Sequence, residues 1–211
     1  MTIIRKIKLG FYLVVLAAAL AYWYSVYFPS SPRSGQVEVS TLGVPADTDT
    51  SKIPEALEFA KTYGYSRTFA IPINLAPHSG NYRFFGVNLL TKDTLIRGLV
   101  AHGHCQSTEN RYAELSNESG SNCSSIGHYK IGTKYQGSFG TSYKLHGMDY
   151  TNSNAYDTFV VLHSHSCIPL EPQEDDISQS EGCPTIAPAV LDEVMPYLDN
   201  TVRPVLLWVY K

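Results

Sequence analysis

Charge is scarce in this 211-residue chain: 17% of residues are Asp, Glu, Lys or Arg, where about 25% is usual for a soluble domain. That shortage, beside 44% hydrophobic and 12% aromatic residues, excludes intrinsic disorder and a long coiled coil. A basic excess is also missing. The net charge is −3, from 16 basic and 19 acidic groups, so phosphate-backbone binding is excluded as the main activity and nucleic acid is not an expected partner. No repeat of fixed period runs through the chain. Among the four cysteines there is no Cys-x-x-Cys pair, which removes the commonest thiolate arrangement for a structural zinc.

One long uncharged stretch is present. Leu9 to Phe28, LGFYLVVLAAALAYWYSVYF, holds twenty residues, enough as a helix to span about 30 Å of hydrocarbon. Arg5, Lys6 and Lys8 precede it and no acid occurs before residue 29, which orients the N-terminus to the cytoplasm and exports the remainder. Two readings stand: an uncleaved N-terminal transmembrane helix, which is favoured, or a signal peptide cut after Ala19-Leu20-Ala21. Both place Cys105, Cys123, Cys167 and Cys183 where disulfides are permitted. Residues 29–50 are rich in Ser, Thr, Pro and Gly without aromatics, and read as a linker. Residues 51–211 are the domain, with 1–28 as anchor or signal peptide.

Within that domain Ser51 is expected to cap a short amphipathic helix that closes at Gly64. Strands are expected at Thr68–Leu75, Tyr82–Leu90 and Thr94–Ala101, the last two joined by a hairpin at Thr91-Lys92-Asp93. Further strands are expected at Ser142–Leu145, at Thr158–His163 and at Val205–Tyr210, with a second helix over Pro188–Leu198. The fold class is therefore mainly β with one or two helices.

Chemistry concentrates near the C-terminal quarter. Ser180-Glu181-Gly182-Cys183-Pro184 sets a cysteine between glycine and proline, a tight turn that presents a thiol and nearby backbone N–H groups. His163 ends an apolar strand twenty residues upstream, with Ser164 and His165 after it. An imidazole near a thiol favours the nucleophilic thiolate. A buried or disulfide-bonded Cys183 is the bland alternative, and either His163 or His165 is a candidate base. His102 and His104 with Cys105, His163 and His165 also offer a zinc set. Glu171 to Ile177 lies between His163 and Cys183 and reads as a solvated turn or as a lid over the entry path.

These residues resemble a family. Phe159-Val160-Val161-Leu162-His163-Ser164 with Ser180-Glu181-Gly182-Cys183-Pro184 is similar to the His-Gly and Ser-x-Gly-Cys signature of L,D-transpeptidases of the YkuD type, and closest to the murein L,D-transpeptidase catalytic domain subgroup. Ser79-Gly80-Asn81-Tyr82-Arg83, Val100-Ala101-His102-Gly103, Leu115-Ser116-Asn117, Ser124-Ser125-Ile126-Gly127 and Leu145-His146-Gly147-Met148 carry the likeness over roughly residues 53 to 211. Two positions depart from it: Ser164 replaces the glycine after the histidine, and Glu181 stands where histidine is commoner.

The resemblance implies a β-sandwich catalytic domain, with no cofactor and no metal, acting as a monomer on peptidoglycan stem peptides in the bacterial cell envelope. Cys183 is then the nucleophile, His163 or His165 the base and Gly182 part of the oxyanion site. His102, Gly103, Ser116, Asn117 and Ser180 are then substrate-binding residues. The reaction passes through a thioester to a 3→3 cross-link or to L,D-carboxypeptidase products. A disulfide is expected between Cys105 and Cys123, leaving Cys167 free or bonded to Cys183. A non-catalytic cell-wall-binding domain of the same fold is the alternative, and a zinc hydrolase a further one.

Overall fold

Pro54 in its first turn and Ile53, Ala56 and Ala60 along one side make α1 (Ile53–Tyr63) a helix with a single buried face. Gly64 ends it in the left-handed region at φ 76, where glycine carries no Cβ penalty. The expected cap, Ser51, lies instead in a 3-10 turn, Thr50–Lys52, that leads into the helix. The computed structural model describes residues 50–108 and 110–211, within the second of two units, Ala46–Lys211. The expected transmembrane helix or signal peptide at 1–28 lies outside the described residues, as does the linker apart from Thr50. Among the described residues no helix is long and apolar enough to cross a membrane.

Among the described residues nine strands follow: β1 (Ala70–Asn74), β2 (Phe84–Val87), β3 (Thr94–Gly98), β4 (Val100–Ala101), β5 (Gly127–Gly137), β6 (Gly140–Gly147), β7 (Val161–Ser164), β8 (Thr185–Ile186) and β9 (Leu206–Tyr210). A second helix, α2 (Pro188–Asp199), lies between the last two. The strands form one hydrogen-bonded sheet in the order β3-β2-β1-β9-β5-β6-β7-β8-β4. Its two edge strands are separated in sequence by Leu99 alone. A sheet whose ends meet in this way must curl round on itself, so the expected two-layer sandwich is built by a single wrapped sheet.

Period-2 alternation assigns the two faces. Ile71, Ile73, Leu207 and Val209 point into the main core with Leu145, Leu162, Val190 and Val194. Ala70, Leu206 and Trp208 point the other way and are covered by Ile53, Ala56 and Ala60 of α1. The second helix packs on β3 and β7 and therefore lies across the seam where the sheet's edges meet.

Three sequence expectations change. The run Thr94–Ala101 is split at Leu99, its halves pairing with β2 and β8 at opposite ends of the sheet. The strand expected from Thr158 begins at Val161, because Phe159 takes φ 60. The long β5 and β6 hairpin extends well beyond the expected Ser142–Leu145.

Candidate active site

Strand β8 runs parallel to β7, with His163 opposite Thr185. Cys183 lies two residues before Thr185 and so arrives beside Val161, whose N–H donates to its sulfur at 3.4 Å. The thiol in turn donates to the carbonyl of Phe159 at 3.8 Å. The sulfur thus sits between a backbone donor and a backbone acceptor at the N-terminal end of β7.

The turn that delivers it is closed by its own side chain. Ser180 Oγ donates to the Cys183 carbonyl at 2.7 Å and accepts from Gly182 N at 3.2 Å. Gly182 has φ 109, a conformation that a side chain disfavours. A bed of two further segments supports the turn. Gly103 bridges to Ser180 in parallel fashion, Ser180 N donates to His102 O at 2.9 Å, and Ser124 Oγ accepts from Gly103 N and donates to Gly182 O. Gly103 and Gly182 touch backbone to backbone: a Cβ on Gly103 would stand 2.8 Å from Gly182 Cα and would run into Asn122 O.

Cys105 and Cys123 form a disulfide, joining the two bed segments just beyond these contacts. Cys167 is exposed and free, and Cys183 is also free, so no bridge ties the two together.

His163 is buried on β7. Its Nδ1 faces the Ser164 carbonyl at 3.2 Å and its Nε2 faces Thr185 Oγ1 at 3.0 Å. A carbonyl only accepts, so Nδ1 carries the proton and Nε2 offers its lone pair toward the Thr185 hydroxyl. That hydroxyl also lies 3.3 Å from the Cys183 carbonyl. Phe139, from the tip of the β5 and β6 hairpin, stacks on the His163 ring at 4.7 Å and meets His165 edge-on at 5.9 Å. His165 is exposed beyond the strand end and accepts from Cys167 N at 3.1 Å. Among the described residues neither imidazole hydrogen-bonds the Cys183 sulfur.

Burial pushes the Cys183 thiol above its ordinary pKa; the Val161 N–H opposes this and the Glu181 carboxylate adds to it. Burial lowers the His163 pKa, against the bond to Ser164, with His165 lowering it further. The pair therefore rests as neutral thiol and neutral imidazole. Glu181 is directed away, to His104 Nε2 at 3.2 Å.

The remaining candidates divide. His102 is fully buried, its Nδ1 3.2 Å from Arg83 and its Nε2 3.4 Å from Gln179; it supports the bed and does not face the sulfur. Burial, Arg83 and Lys211 hold its pKa down to about 4. Ser116 and Asn117 line a cavity of about 600 Å³ with Ser125, Tyr150 and Asn154. That cavity is lined by neither Cys183 nor His163 and approaches the turn through its contacts with Ser124: Leu115 bridges to it, Ser116 N donates to its carbonyl at 3.1 Å, and Ser125 is its neighbour. Among the described residues no group of three or more His, Cys, Asp or Glu stands close enough together to hold a metal ion. The segment Glu171 to Ile177 is pinned: Gln173 N donates to Gly80 O at 3.0 Å, Tyr82 donates to Glu171 at 2.9 Å, and Ile177 is buried with its N–H on Ser79.

Sequence reasoning missed Thr185, Ser124 and the backbone of Phe159 and Val161. Thr185 had a signal: two residues past Cys183 on an extended segment, it shares the cysteine's face. The other three depend on register between segments distant in sequence.

A family described as the L,D-transpeptidase catalytic domain matches residues 49–210. No curated protein matches the chain. Solved structures are similar at low identity, among them the following three. An L,D-transpeptidase (residues 123–326) from Xylanimonas cellulosilytica is 14% identical, with 72% of this chain and 68% of that one covered and a TM-score of 0.39. An L,D-transpeptidase from Mycobacterium smegmatis is 11% identical, with 68% and 59% covered and a TM-score of 0.38. LD transpeptidase LdtMt1, solved in complex with imipenem, is 14% identical, with 68% and 59% covered and a TM-score of 0.39. The chain spans about three fifths of the latter two structures.

Proposed function

The chain belongs to the L,D-transpeptidase catalytic domain family, and we propose that it is a cysteine-dependent L,D-transpeptidase acting on peptidoglycan stem peptides in the cell envelope, with its N-terminus as membrane anchor. One observation carries this reading: a free thiol sits in a turn held by two further chain segments, just ahead of the strand that pairs with the one bearing a neutral, buried histidine.

In the proposed reaction the Cys183 proton passes to His163 as the sulfur bonds to the carbonyl carbon of the stem peptide's third residue. His163 is preferred to His165 because it is fixed on β7 with Nε2 turned toward Thr185, while His165 is exposed. The Thr185 hydroxyl lies 3.0 Å from His163 Nε2 and 3.3 Å from the Cys183 carbonyl. The N–H of Gly182 is occupied by Ser180 Oγ, so the developing oxyanion is assigned to the N–H of Cys183 itself. Collapse breaks the C–N bond, His163 returns its proton to the departing D-alanine amine, and a thioester remains. An acceptor amine, deprotonated by His163, then takes the acyl group and releases the thiol; water in its place gives the carboxypeptidase product. The hydrogen bond between imidazole and sulfur forms on approach of substrate, as is common where unliganded sites are looser than reacting ones.

Disaccharide tetrapeptide incubated with the protein should release D-alanine, and a carbapenem should add one equivalent of mass at Cys183. Cys183→Ala should abolish both, while Cys167→Ser leaves both intact. An intact-mass spectrum with no adduct on the reduced protein would instead support the non-catalytic cell-wall-binding domain.

A further inference from the structure

Residues 154–160 make a compact turn that ends as helices often do. Thr158 N donates to Asn154 O at 3.0 Å, Phe159 N to Tyr156 O at 3.3 Å and Val160 N to Ala155 O at 2.9 Å. The last two bonds are the nested pair of a Schellman motif, in which the left-handed residue is usually glycine. Here it is Phe159, at φ 60. Its ring is 77% exposed, so no packing in the described domain accounts for it. Both the backbone conformation and the solvent disfavour a phenylalanine at this position. Yet the carbonyl of this residue accepts from the Cys183 thiol, and the following loop residues deliver the Val161 N–H to the same sulfur. The other reacting side chain is similarly attended: Phe139, 58% exposed, stacks on His163.

We propose that Phe159 is a specificity-determining residue whose ring packs on the aliphatic part of the acyl-donor stem peptide beside the carbonyl that Cys183 attacks. The inference rests on the transpeptidase reading and assigns one wall of that same site. Residues that break a local rule without a structural return concentrate at functional positions, and here the broken rule lies one hydrogen bond from the nucleophile. The backbone of the turn holds the sulfur, and the side chain is left free for a ligand.

Glycine and alanine at this position separate the two roles. Phe159→Gly removes the ring and relieves the left-handed strain; Phe159→Ala removes the ring and keeps the strain. Both should raise KM for disaccharide tetrapeptide by about tenfold with kcat nearly unchanged, the pattern of lost uniform binding. Only the glycine variant should raise Tm, by about 2 to 4 °C. Iodoacetamide should alkylate Cys183 at the wild-type rate in both, since the carbonyl and N–H around the sulfur remain. In a Cys183→Ala background, calorimetry with the same saccharide peptide should show Kd weakened by the same factor.

Unchanged KM and Kd in both variants would overturn the proposal. So would faster alkylation with a lowered Tm in both, which would make the ring a structural plug, or a changed oligomeric state with KM unaltered, which would make it a contact between copies. A wild-type protein that binds the saccharide peptide without releasing D-alanine would refute the transpeptidase reading while leaving this inference to be judged by Kd. Absence of binding would refute both.

Discussion

Burial acts on the ionisable residues of this site in one direction, toward neutrality, and His102 shows the consequence for stability. Its pKa is held down to about 4 by burial first, then by Arg83 and Lys211, while in the unfolded chain it returns to about 6.5. Above about pH 6.5 the imidazole is neutral in both states and no penalty arises. As pH falls from there toward 4, the unfolded chain takes up a proton that the folded one refuses, so stability drops by about 3 kcal/mol across that window. His163, also lowered by burial, adds in the same sense. In His102→Asn the amide oxygen replaces Nδ1 as the acceptor for Arg83 and nothing titrates. Urea unfolding of this variant between pH 7 and 4 should therefore show a flattened slope that retains the shares of the other histidines lowered by burial, His163 and His146; an undiminished slope would move the effect elsewhere. At this scale the sequence makes Ser180, Gly182 and Cys183 legible because they are covalent neighbours in one turn. Val161 and Phe159 escape because their link to the sulfur is strand register across 22 and 24 positions, and the bond that joins Thr185 to His163 likewise spans 22.

Among the elements, the supporting bed matters as much as the nucleophile turn. The His102–Cys105 and Asn122–Ser125 segments are brought together by the Cys105–Cys123 disulfide, by Cys105 N donating to Asn122 O at 3.3 Å, and by Ser124 between Gly103 and Gly182. No space remains for a side chain where Gly103 meets Gly182. Gly103→Ala should therefore push the turn off its bed, with D-alanine release and carbapenem acylation falling by about a hundredfold or more, and stability by roughly 1 to 3 kcal/mol as expected for overpacking. Gly120→Ala is the matched control: its φ is 79 but nothing lies within 4 Å of the added Cβ, so it should lose about 1 kcal/mol through strain and keep its activity. Equal activity losses in the two variants would refute the role assigned to the bed. Strands with continuous apolar runs, such as β9 and the core of β1, are readable from sequence. The long β5 is not, because only Tyr129 and Ile131 among its residues are buried apolar ones and the rest of its eleven positions are polar or glycine apart from the half-buried Tyr135.

For the whole domain, the wrapped sheet ties the site to global folding. The edges β3 and β4 are consecutive in sequence, and α2 crosses the seam between them, with Val190 packed against Gly98. The site sits next to this seam: β4 pairs with β8, and β8 with the β7 that carries His163. Cys183, His163, Gly103 and Ser124 come from segments up to about eighty residues apart, so the site has no local precursor and should exist only when the sheet has closed. Leu99, fully buried at the crossing from one edge to the other, is the position where closure is most directly weakened. Leu99→Ala should reduce stability by about 2 to 5 kcal/mol, the usual range for a buried leucine, with the urea m-value unchanged because the surface exposed on unfolding is the same. Far-UV circular dichroism and carbapenem acylation followed along one urea series should then lose their signals at the same midpoint, in the variant and in the wild type alike. Acylation lost well below the dichroism midpoint would mean that the turn and its bed open as a separate unit, and that closure of the sheet is necessary for the site without being what holds it together.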